Sequence, residues 1–447
     1  MNPIALPLEL GDLAQAAAAF EEGQASALTC FEFSVCVAPT NCNYLVFAGL
    51  APLMEQLQLF SLDASFIEYL RYHPSFAGVS LRWFDHLSQM NFKGDVWSMA
   101  EGGVFFAPAP VFRITVPFDM GLLVGSMVIG ILTHQIQVAT KVSRLLSASE
   151  GRQLYEMGLR RTANIEQACA TTRAAYIAGI TSTTNAEAAR RWQLPTQTLM
   201  SHAWPMFFPD EVEAFHRYGK HLMTTSNPVV DTNDSLAGVK LAIASGSPMQ
   251  AIRLDSGDLN LLSSEARKLL DQNGRRHVKI IASGQLDEEK ITKLVSQRAP
   301  IDGFAIGSAI AQPASLYINS VYKLVAMQER SGSWEPACKM TLGKRSYPWP
   351  KQVFRTASDD GSFSQDVIAW DRESLVGEKQ LHQVMKQGEL ITKLPGIEVC
   401  RDYSMMQRIR LSAELLSLTS VKQRYPIRYS AALEQELVKL KRLRSIH

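Results

Sequence analysis

The sequence predicts an α/β fold with a parallel sheet closed as a barrel, and two observations support this prediction. Between residues 153 and 330, short apolar segments that resemble strands alternate with helical runs. Polar residues follow these segments at their carboxyl ends, where α/β barrels build their sites. The predicted strands are residues 154–156, 177–180, 197–200, 229–230, 251–254, 278–282 and 303–306, and the predicted helices are residues 185–192, 210–218, 263–272 and 288–297.

The flanking regions follow a different pattern, which predicts a second domain. Residues 30–36 alternate in polarity as a half-buried strand does, and residues 95–99 and 104–106 are also expected to be strands. Gly102-Gly103 between these two predicts a hairpin turn. The predicted later elements are one long buried helix at 119–148, a strand at 351–355 and helices at 411–418 and 431–444. The predicted domains are residues 1–150, 151–330 and 331–447.

Composition narrows the class of protein. The 447 residues suggest two or three domains, and 45 basic against 43 acidic residues argue against a nucleic-acid partner. The six cysteines form no C-x-x-C pair, so we predict no metal site built from them and interpret them as reduced thiols in a cytoplasmic protein. The longest apolar stretch, residues 120–132, is shorter than the ~20 residues that span a bilayer, so we expect no membrane partner.

The segment Arg253–Asp258, which reads R-L-D-S-G-D after an apolar strand, is the most informative motif. Arginine can bind phosphate oxygens with two N–H groups, and carboxylates can hold ribose hydroxyls, Mg²⁺ or a developing positive charge. We therefore take Asp255 as a candidate catalytic residue, and Arg253, Ser256 and Asp258 as candidate substrate-binding residues. The alternative is an ordinary strand-to-helix turn in which Asp258 or Ser256 caps the helix.

Other candidates follow other predicted strands. His202 could accept a phosphoryl group, although a lone histidine is often structural. Gly284, Gly307 and Ser308 could seat a phosphate on backbone N–H groups, although many strand-to-helix turns have such residues. Arg160 could bind an anion or be one of a surface arginine pair. Thr181, which begins the polar stretch after residues 177–180, is a further candidate for substrate binding.

The chain resembles the nicotinate phosphoribosyltransferase family over most of its length. The matching stretches are residues 44–50, 94–96, 101–102, 134–135, 139–141, 158–161, 173–176, 202–204, 208–211, 253–258, 299–302, 321–324 and 351–355.

The resemblance implies an irregular type II phosphoribosyltransferase α/β barrel beside an open α+β sandwich domain, to which residues 331–447 return. It implies transfer of a phosphoribosyl group from phosphoribosyl pyrophosphate to a pyridine carboxylate, with Mg²⁺ and with ATP hydrolysis coupled through a phosphohistidine, in NAD salvage. By position that histidine is His202, while Arg253 and Asp255 hold the donor and Arg160 meets the base. Gly284, Gly307 and Ser308 would face the 5′-phosphate. Family members are homodimers with shared active sites.

The sequence departs from the family pattern at the end that binds the base. Gly11 stands where the family has a tyrosine that stacks on the pyridine ring, and Met157 replaces the other stacking aromatic. Thr181 begins T-S-T-T-N in place of the family's D-G-T-S-N. Two alternatives to a nicotinate enzyme therefore stay open. One is a transferase on the same scaffold for another heteroaromatic base, and the other is a non-catalytic relative.

Overall fold

The chain forms two units. The first unit is built from separate stretches of the sequence, so the chain leaves this unit and later returns to it. The first contains Met1–Ile136, Ile318–Leu415 and Ser420–His447, and the second contains Gln137–Tyr317 with Leu416–Thr419. The computed structural model describes residues 6–222, 226–313, 315–329, 331–341, 346–421 and 424–444.

The α-helices are α1 (Leu10–Glu21), α2 (Leu50–Gln58), α3 (Ala64–Tyr72), α4 (Leu81–Gln89), α5 (Phe118–Leu123), α6 (Gly125–Ser149), α7 (Ile165–Ile177), α8 (Ala186–Trp192), α9 (Ala203–Phe207), α10 (Glu211–His221), α11 (Ser235–Ala244), α12 (Leu259–Gln272), α13 (Glu288–Ser296), α14 (Ser308–Ala311), α15 (Ile397–Ile409) and α16 (Ala431–Arg444). Short 3-10 helices cover Pro74–Phe76 and Leu159–Arg161.

The strands are β1 (Leu28–Val37), β2 (Leu45–Val46), β3 (Asp95–Ser98), β4 (Val104–Phe105), β5 (Pro110–Pro117), β6 (Gln153–Glu156), β7 (Ser182–Thr183), β8 (Ala251–Leu254), β9 (Lys279–Ala282), β10 (Gly303–Ile306), β11 (Asn319–Gln328), β12 (Trp334–Pro336), β13 (Lys351–Ala357), β14 (Phe363–Trp370), β15 (Glu378–Lys379), β16 (His382–Lys386), β17 (Glu389–Leu390) and β18 (Ile427–Tyr429).

The second unit is built on a parallel sheet with strand order β7-β6-β10-β9-β8. Every residue of β8 and β10 is buried, as expected for a parallel sheet covered on both faces. Helices follow the strands, and an Asp or Asn side chain caps each of α8, α10, α11, α12 and α13 by accepting a backbone N–H bond from the first turn. The predicted strand-then-helix alternation is confirmed here.

Isolated parallel bridges extend this sheet at both sides, from Thr183 to Thr196 and from Arg253 to Val229. The segments that carry these two bridges, near Thr196 and Val229, are joined by one side-chain bond, in which Asn227 Nδ2 donates to the Thr198 carbonyl at 2.9 Å. Among the described residues no strand ladder joins these two segments. The closed barrel of the sequence analysis therefore stays a prediction, while the α/β class is established.

Three of the predicted strands were wrong as continuous elements. Ile177 ends helix α7, and Gly179 has a φ of +116°, so residues 177–180 form a helix end and turn. Residues 197–200 and 229–230 contribute single bridges or side-chain bonds instead of ladders. All three segments are short, and residues 177–180 and 229–230 are mostly apolar; short apolar segments do not distinguish a strand from a buried helix end.

The first unit contains a seven-stranded sheet of order β12-β11-β1-β5-β3-β16-β17 and a four-stranded sheet of order β15-β13-β14-β18. Strand β11 pairs antiparallel with β1, although the sequence analysis assigned it to the barrel domain. The predicted β3–β4 hairpin is wrong, because β3 pairs with β5 and β16 while β4 pairs with β2. Residues 411–418 contain no α-helix, and α15 lies before them.

The predicted long helix is divided at Val124 into α5 and α6. By length and composition the combined stretch Phe118–Ser149 is long and apolar enough to cross a membrane, with a mean hydropathy of 1.6 in its most apolar window. Just over half of that window, 56%, is buried inside the protein. A buried core helix has the same composition, so this stretch alone does not test the predicted lack of a membrane partner.

Replacing Arg355 with Met should destabilise the first unit strongly. Arg355 and Asp366 are 2% and 0% exposed, and the guanidinium binds the carboxylate through Nε and Nη2 at 2.8 and 2.7 Å. Removing the cation leaves a buried carboxylate, which typically costs about 3–5 kcal/mol. Urea unfolding measures this loss. Arg190→Met, which breaks an exposed pair with Glu187, should change stability by less than ~1 kcal/mol and is the control. Equal losses in the two variants would contradict the prediction.

Candidate functional site

The carboxyl edge of the parallel sheet surrounds a cavity of about 430 Å³. Residues from the ends of β6, β8, β9 and β10 reach it, so the edge brings together positions far apart in sequence. The cavity is lined by Met157, Arg160, Arg161, Asp255, Gly284, Gln285, Ala305, Gly307 and Ser308.

Arg253 lies in β8 and is 4% exposed, so its guanidinium is held inside the protein. Its Nη1 donates to Ser283 Oγ at 3.1 Å and lies 3.0 Å from Asp255 Oδ1, and its Nη2 donates to the Met200 carbonyl at 2.8 Å. Burial lowers the pKa of the guanidinium. Its Nε is buried and has no hydrogen-bond partner among the described residues. In this arrangement Arg253 orients Asp255, and its Nε–H is left without an acceptor among the described residues.

Asp255 pairs with Arg253 and also lines the cavity. Its side chain is 32% exposed, and it also accepts a short hydrogen bond from Ser283 Oγ. Its backbone N–H donates to Asp231 Oδ2 at 3.1 Å, and Ser256 Oγ donates to the same oxygen at 2.5 Å. Asp231 is 1% exposed, and its Oδ1 has no hydrogen-bond partner in the described part of the chain. Two carboxylates are therefore fixed at the end of β8.

His202 lies beside both carboxylates. Its Nε2 is 3.7 Å from Asp255 Oδ2 and 3.9 Å from Asp231 Oδ1, while its Nδ1 shares a 3.2 Å hydrogen bond with Thr232 Oγ1. The side chain is 35% exposed. Thr232 orients the ring through one nitrogen, so the other nitrogen faces the carboxylates and is accessible for chemistry.

A buried carboxylate also shapes the loop after β6. Glu156 accepts hydrogen bonds from Thr172 Oγ1 at 3.1 Å, from Thr183 Oγ1 at 2.5 Å and from the Gly158 backbone N–H. Burial raises the pKa of this carboxyl. The anchored loop continues directly into exposed Arg160 and Arg161, so Glu156 fixes the backbone from which both guanidinium groups extend.

Gly284 has no room for a side chain. Its φ is +93°, and a Cβ atom there would lie 2.0 Å from the Asp255 carbonyl oxygen. Gln285, which follows it and lines the cavity, has a φ of +52°. Gly307 and Ser308 lie at the end of β10 in the same cavity wall. The turn after β9 therefore packs tightly against the end of β8, and its glycine is required by that close approach.

The structure brings some of the sequence-predicted residues together and leaves others apart. Arg160, Asp255, Gly284, Gly307 and Ser308 line the cavity, and His202 adjoins it through Asp255. The remaining candidates, Arg253, Ser256, Asp258 and Thr181, are not among the lining residues.

Asp258 and Thr181 have local structural partners. Asp258 caps α12 by accepting the N–H groups of Asn260 and Leu261 at 3.1 Å, as in the alternative interpretation of the motif. Thr181 precedes β7, and its hydroxyl accepts from the Leu154 N–H at 3.3 Å, two residues before the carboxyl end of β6. Roles in substrate binding for these two residues stay predictions, as do the roles of the other candidates.

Asp231, Glu156 and Gln285 are site residues that were not predicted from the sequence, whereas Arg161 was considered with Arg160 as an arginine pair. Asp231 carried a signal, because it lies in a polar cluster after an apolar segment. Glu156 had no such signal, since its role depends on hydroxyl groups from α7 and β7 that meet only in the folded chain. In the part of the chain that the structure describes, no three or more His, Cys, Asp or Glu side chains are arranged so that they could together hold a metal ion.

The fold resembles solved structures of a phosphoribosyltransferase and of a pyrophosphorylase. A crystal structure of human nicotinic acid phosphoribosyltransferase aligns with a TM-score of 0.84 and 21% identity, covering 97% of this chain and 100% of the human chain. A nicotinate-nucleotide pyrophosphorylase from Pyrococcus furiosus aligns with a TM-score of 0.72 and 21% identity, covering 90% and 95%. The mixed α/β architecture of a phosphoribosyltransferase is thus established.

Sequence comparison defines the family. The model of the nicotinate phosphoribosyltransferase N-terminal domain matches residues 9–132. A nicotinate phosphoribosyltransferase of Mycobacterium tuberculosis is 36% identical over 420 residues, covering 92% of this chain and 88% of the relative. One from Bacillus subtilis is 32% identical over 375 residues, covering 79% and 74%. The chain belongs to the nicotinate phosphoribosyltransferase family of transferase enzymes.

Proposed function

We propose that the protein transfers the phosphoribosyl group of phosphoribosyl pyrophosphate to nicotinate, giving nicotinate mononucleotide and pyrophosphate in NAD salvage. The observation that carries this proposal is the cavity at the carboxyl edge, where an aspartate and two arginines meet in a chain similar to the Mycobacterium tuberculosis enzyme over 92% of its length.

The cavity has the charges that this reaction needs. As the C1–oxygen bond to pyrophosphate breaks, the ribose becomes positive at C1 while the leaving group gains negative charge, and the pyridine nitrogen then forms the new bond to C1. Asp255 can stabilise the positive ribose, and Arg160 and Arg161 can bind phosphate or the carboxylate of the base. Arg253 holds Asp255 in place. Alignment of donor and base supplies much of the remaining acceleration.

We also propose that Mg²⁺ binds together with the donor, phosphoribosyl pyrophosphate. Mg²⁺ sites commonly use one or two protein carboxylates together with substrate phosphates. Asp255 and the unpartnered Oδ1 of Asp231 fit such a site, whereas the described residues contain no all-protein cluster. When bound there, the ion would neutralise charge on the leaving pyrophosphate.

We further propose that ATP hydrolysis is coupled to transfer through phosphorylation of His202. The imidazole nitrogen Nε2 would attack the γ-phosphorus of ATP, and the bond to the ADP oxygen would break. For this attack the neutral ring carries its proton on Nδ1, which donates to Thr232 Oγ1 and orients the ring, while the carboxylates at 3.7 and 3.9 Å can take up the Nε2 proton of an imidazolium beforehand. Water would then cleave the N–P bond, which releases phosphate and restores the imidazole. A homodimer with shared sites and a cytoplasmic location complete the proposal.

The residues that bind the base decide whether nicotinate or another base is the substrate. One assay tests which base the protein uses. Purified protein is mixed with phosphoribosyl pyrophosphate, ATP, Mg²⁺ and one pyridine or related base at a time, and pyrophosphate release is followed. We expect the highest kcat/KM with nicotinate. Turnover only with another base supports the alternative substrate. Donor binding without turnover for any base supports a non-catalytic relative.

Restoring the missing aromatics should improve nicotinate affinity. Gly11 lies in the first turn of α1 with no atom within 4 Å of a built Cβ, and Met157 lines the cavity. Because each aromatic stack is worth ~0.5–1.5 kcal/mol, the double variant Gly11→Tyr with Met157→Phe should lower the KM for nicotinate about tenfold. The control Gly130→Tyr with Met157→Phe places a tyrosine at another open helical glycine. An unchanged KM, or an equal change in the control, would mean that the stacking assignment is incorrect.

A further inference from the structure

A second cavity lies in the first unit, away in sequence from the residues assigned above. Its volume is about 240 Å³, and four of the seven tryptophans of the chain line it. These are Trp97, Trp334, Trp349 and Trp370. Arg113, Asp371 and Arg372 add charge to the same wall. We call it the tryptophan cavity.

The strands of the first unit bring these side chains next to one another. Trp97 on β3 is paired directly with Arg113 on β5, and the Arg113 guanidinium lies over the Trp97 ring at 4.4 Å. Trp370 ends β14, and its ring stacks on Trp349 with 4.7 Å between centroids. Arg372 lies 5.1 Å from the Trp370 ring centre. Aromatic faces and cations therefore alternate around the cavity.

Trp349 is held in a backbone conformation that large side chains rarely adopt, with a φ of +68°. Its indole N–H donates to Glu436 Oε2 at 3.0 Å, and its carbonyl accepts from Lys351 Nζ at 2.8 Å. Strain of this kind persists where surrounding contacts enforce it, and it is concentrated at ligand sites. Trp349 is thus held in place through both its side chain and its backbone.

Arg113 supplies an unsatisfied donor in this wall. It is 5% exposed, its Nη1 binds Asp371 Oδ2 at 2.9 Å and the Lys351 carbonyl at 3.2 Å, and its Nε has no partner among the described residues. A buried N–H without an acceptor is unfavourable. Burial raises the pKa of Asp371.

We propose that the tryptophan cavity binds a small aromatic monocarboxylate, one planar ring bearing one anionic group. The indole rings provide faces for stacking, and the guanidinium groups of Arg113 and Arg372 provide positive charge for a carboxylate. Two arginines against one aspartate leave one net positive charge. The volume suits a single ring and is too small for a dinucleotide. This site lies within the first unit and does not depend on the proposed transfer reaction.

Nicotinate binding, measured by calorimetry and tryptophan fluorescence without phosphoribosyl pyrophosphate, tests the proposal. We expect a binding event that survives Asp255→Asn and that Trp334→Ala and Arg372→Gln each weaken about tenfold. Arg372 is exposed, so its substitution leaves the core intact. Arg428→Gln removes another exposed arginine, from β18, and should have no effect.

The variants separate the two sites. If transfer fails but this binding event persists, the tryptophan cavity stands without the proposed function. If every nicotinate binding event is unaffected by both Trp334→Ala and Arg372→Gln, or if no binding occurs, the proposal is overturned. Circular dichroism of each variant shows that the fold is retained.

Discussion

His202→Ala should reduce ATP hydrolysis by at least ~100-fold while slow transfer to the base remains, because removing a group that takes part directly in bond making typically has an effect of this size. The Nε2 atom faces Asp231 and Asp255, and Thr232 fixes the other nitrogen, so alanine removes the proposed acceptor without disturbing a helix cap. Steady-state hydrolysis of ATP and formation of nucleotide are measured on the same samples.

His221→Ala is the matched control, since His221 is an exposed histidine at the end of α10. It should leave both rates unchanged. Radiolabel from γ-phosphate should appear on wild-type protein and on the control, but not on His202→Ala. If the His202 variant hydrolysed ATP at the wild-type rate, the phosphohistidine role would be wrong.

Gly284→Ala should both destabilise the second unit and impair donor binding. The new Cβ would lie 2.0 Å from the Asp255 carbonyl oxygen, at a φ of +93° that alanine disfavours. Either the turn after β9 or the end of β8 must move, and the loss of stability should be about 2–4 kcal/mol, in the range of strained-backbone substitutions. Because Asp255 would move with its backbone, the affinity for phosphoribosyl pyrophosphate should fall more than tenfold.

Gly274→Ala separates strain from the clash. Gly274 also has a positive φ, +71°, but no atom lies within 4 Å of its built Cβ. This variant should lose only ~1 kcal/mol through the backbone conformation and should bind the donor normally. Thermal unfolding and calorimetric titration measure both quantities. Equal donor affinities in the two variants would show that the approach of Gly284 to Asp255 is irrelevant to the site.

The sequence predicted best those elements whose local pattern and tertiary environment agree. Strands β8 and β10 are continuous apolar runs followed by polar turns, and the structure buries every residue of both. Helix α12 begins at Leu259, four residues before the predicted start, and Asp258 caps it as the alternative interpretation of the motif expected. In these cases short-range chemistry was sufficient.

Other features depend on contacts between distant residues and could not be predicted from local pattern. Residues 177–180 are as apolar as a strand, but Gly179 turns the chain after α7. Strand β11 follows the parallel strands in sequence, yet β1 pairs with it. The carboxyl of Glu156 is explained only by hydroxyl groups from two other elements.

The candidate site also combines features that the local sequence predicts with features that depend on contacts between distant residues. Arg253 was recognised as a cation at a strand end, but its burial against Ser283 and Met200 required the folded structure. Asp231 was visible as part of a polar cluster, whereas its bond to Ser256 joins segments 25 residues apart. Residue type indicated the chemistry, and tertiary packing decided which residues reach the cavity.

The most direct measurement is the yield of nicotinate mononucleotide and pyrophosphate from nicotinate and phosphoribosyl pyrophosphate with Mg²⁺ and ATP. The proposed function predicts equal amounts of both products, formed in proportion to enzyme and time. Asp255→Asn should reduce both yields together. Pyrophosphate release without the nucleotide, or the absence of both products although the donor binds, would contradict the assignment of this protein as a nicotinate phosphoribosyltransferase.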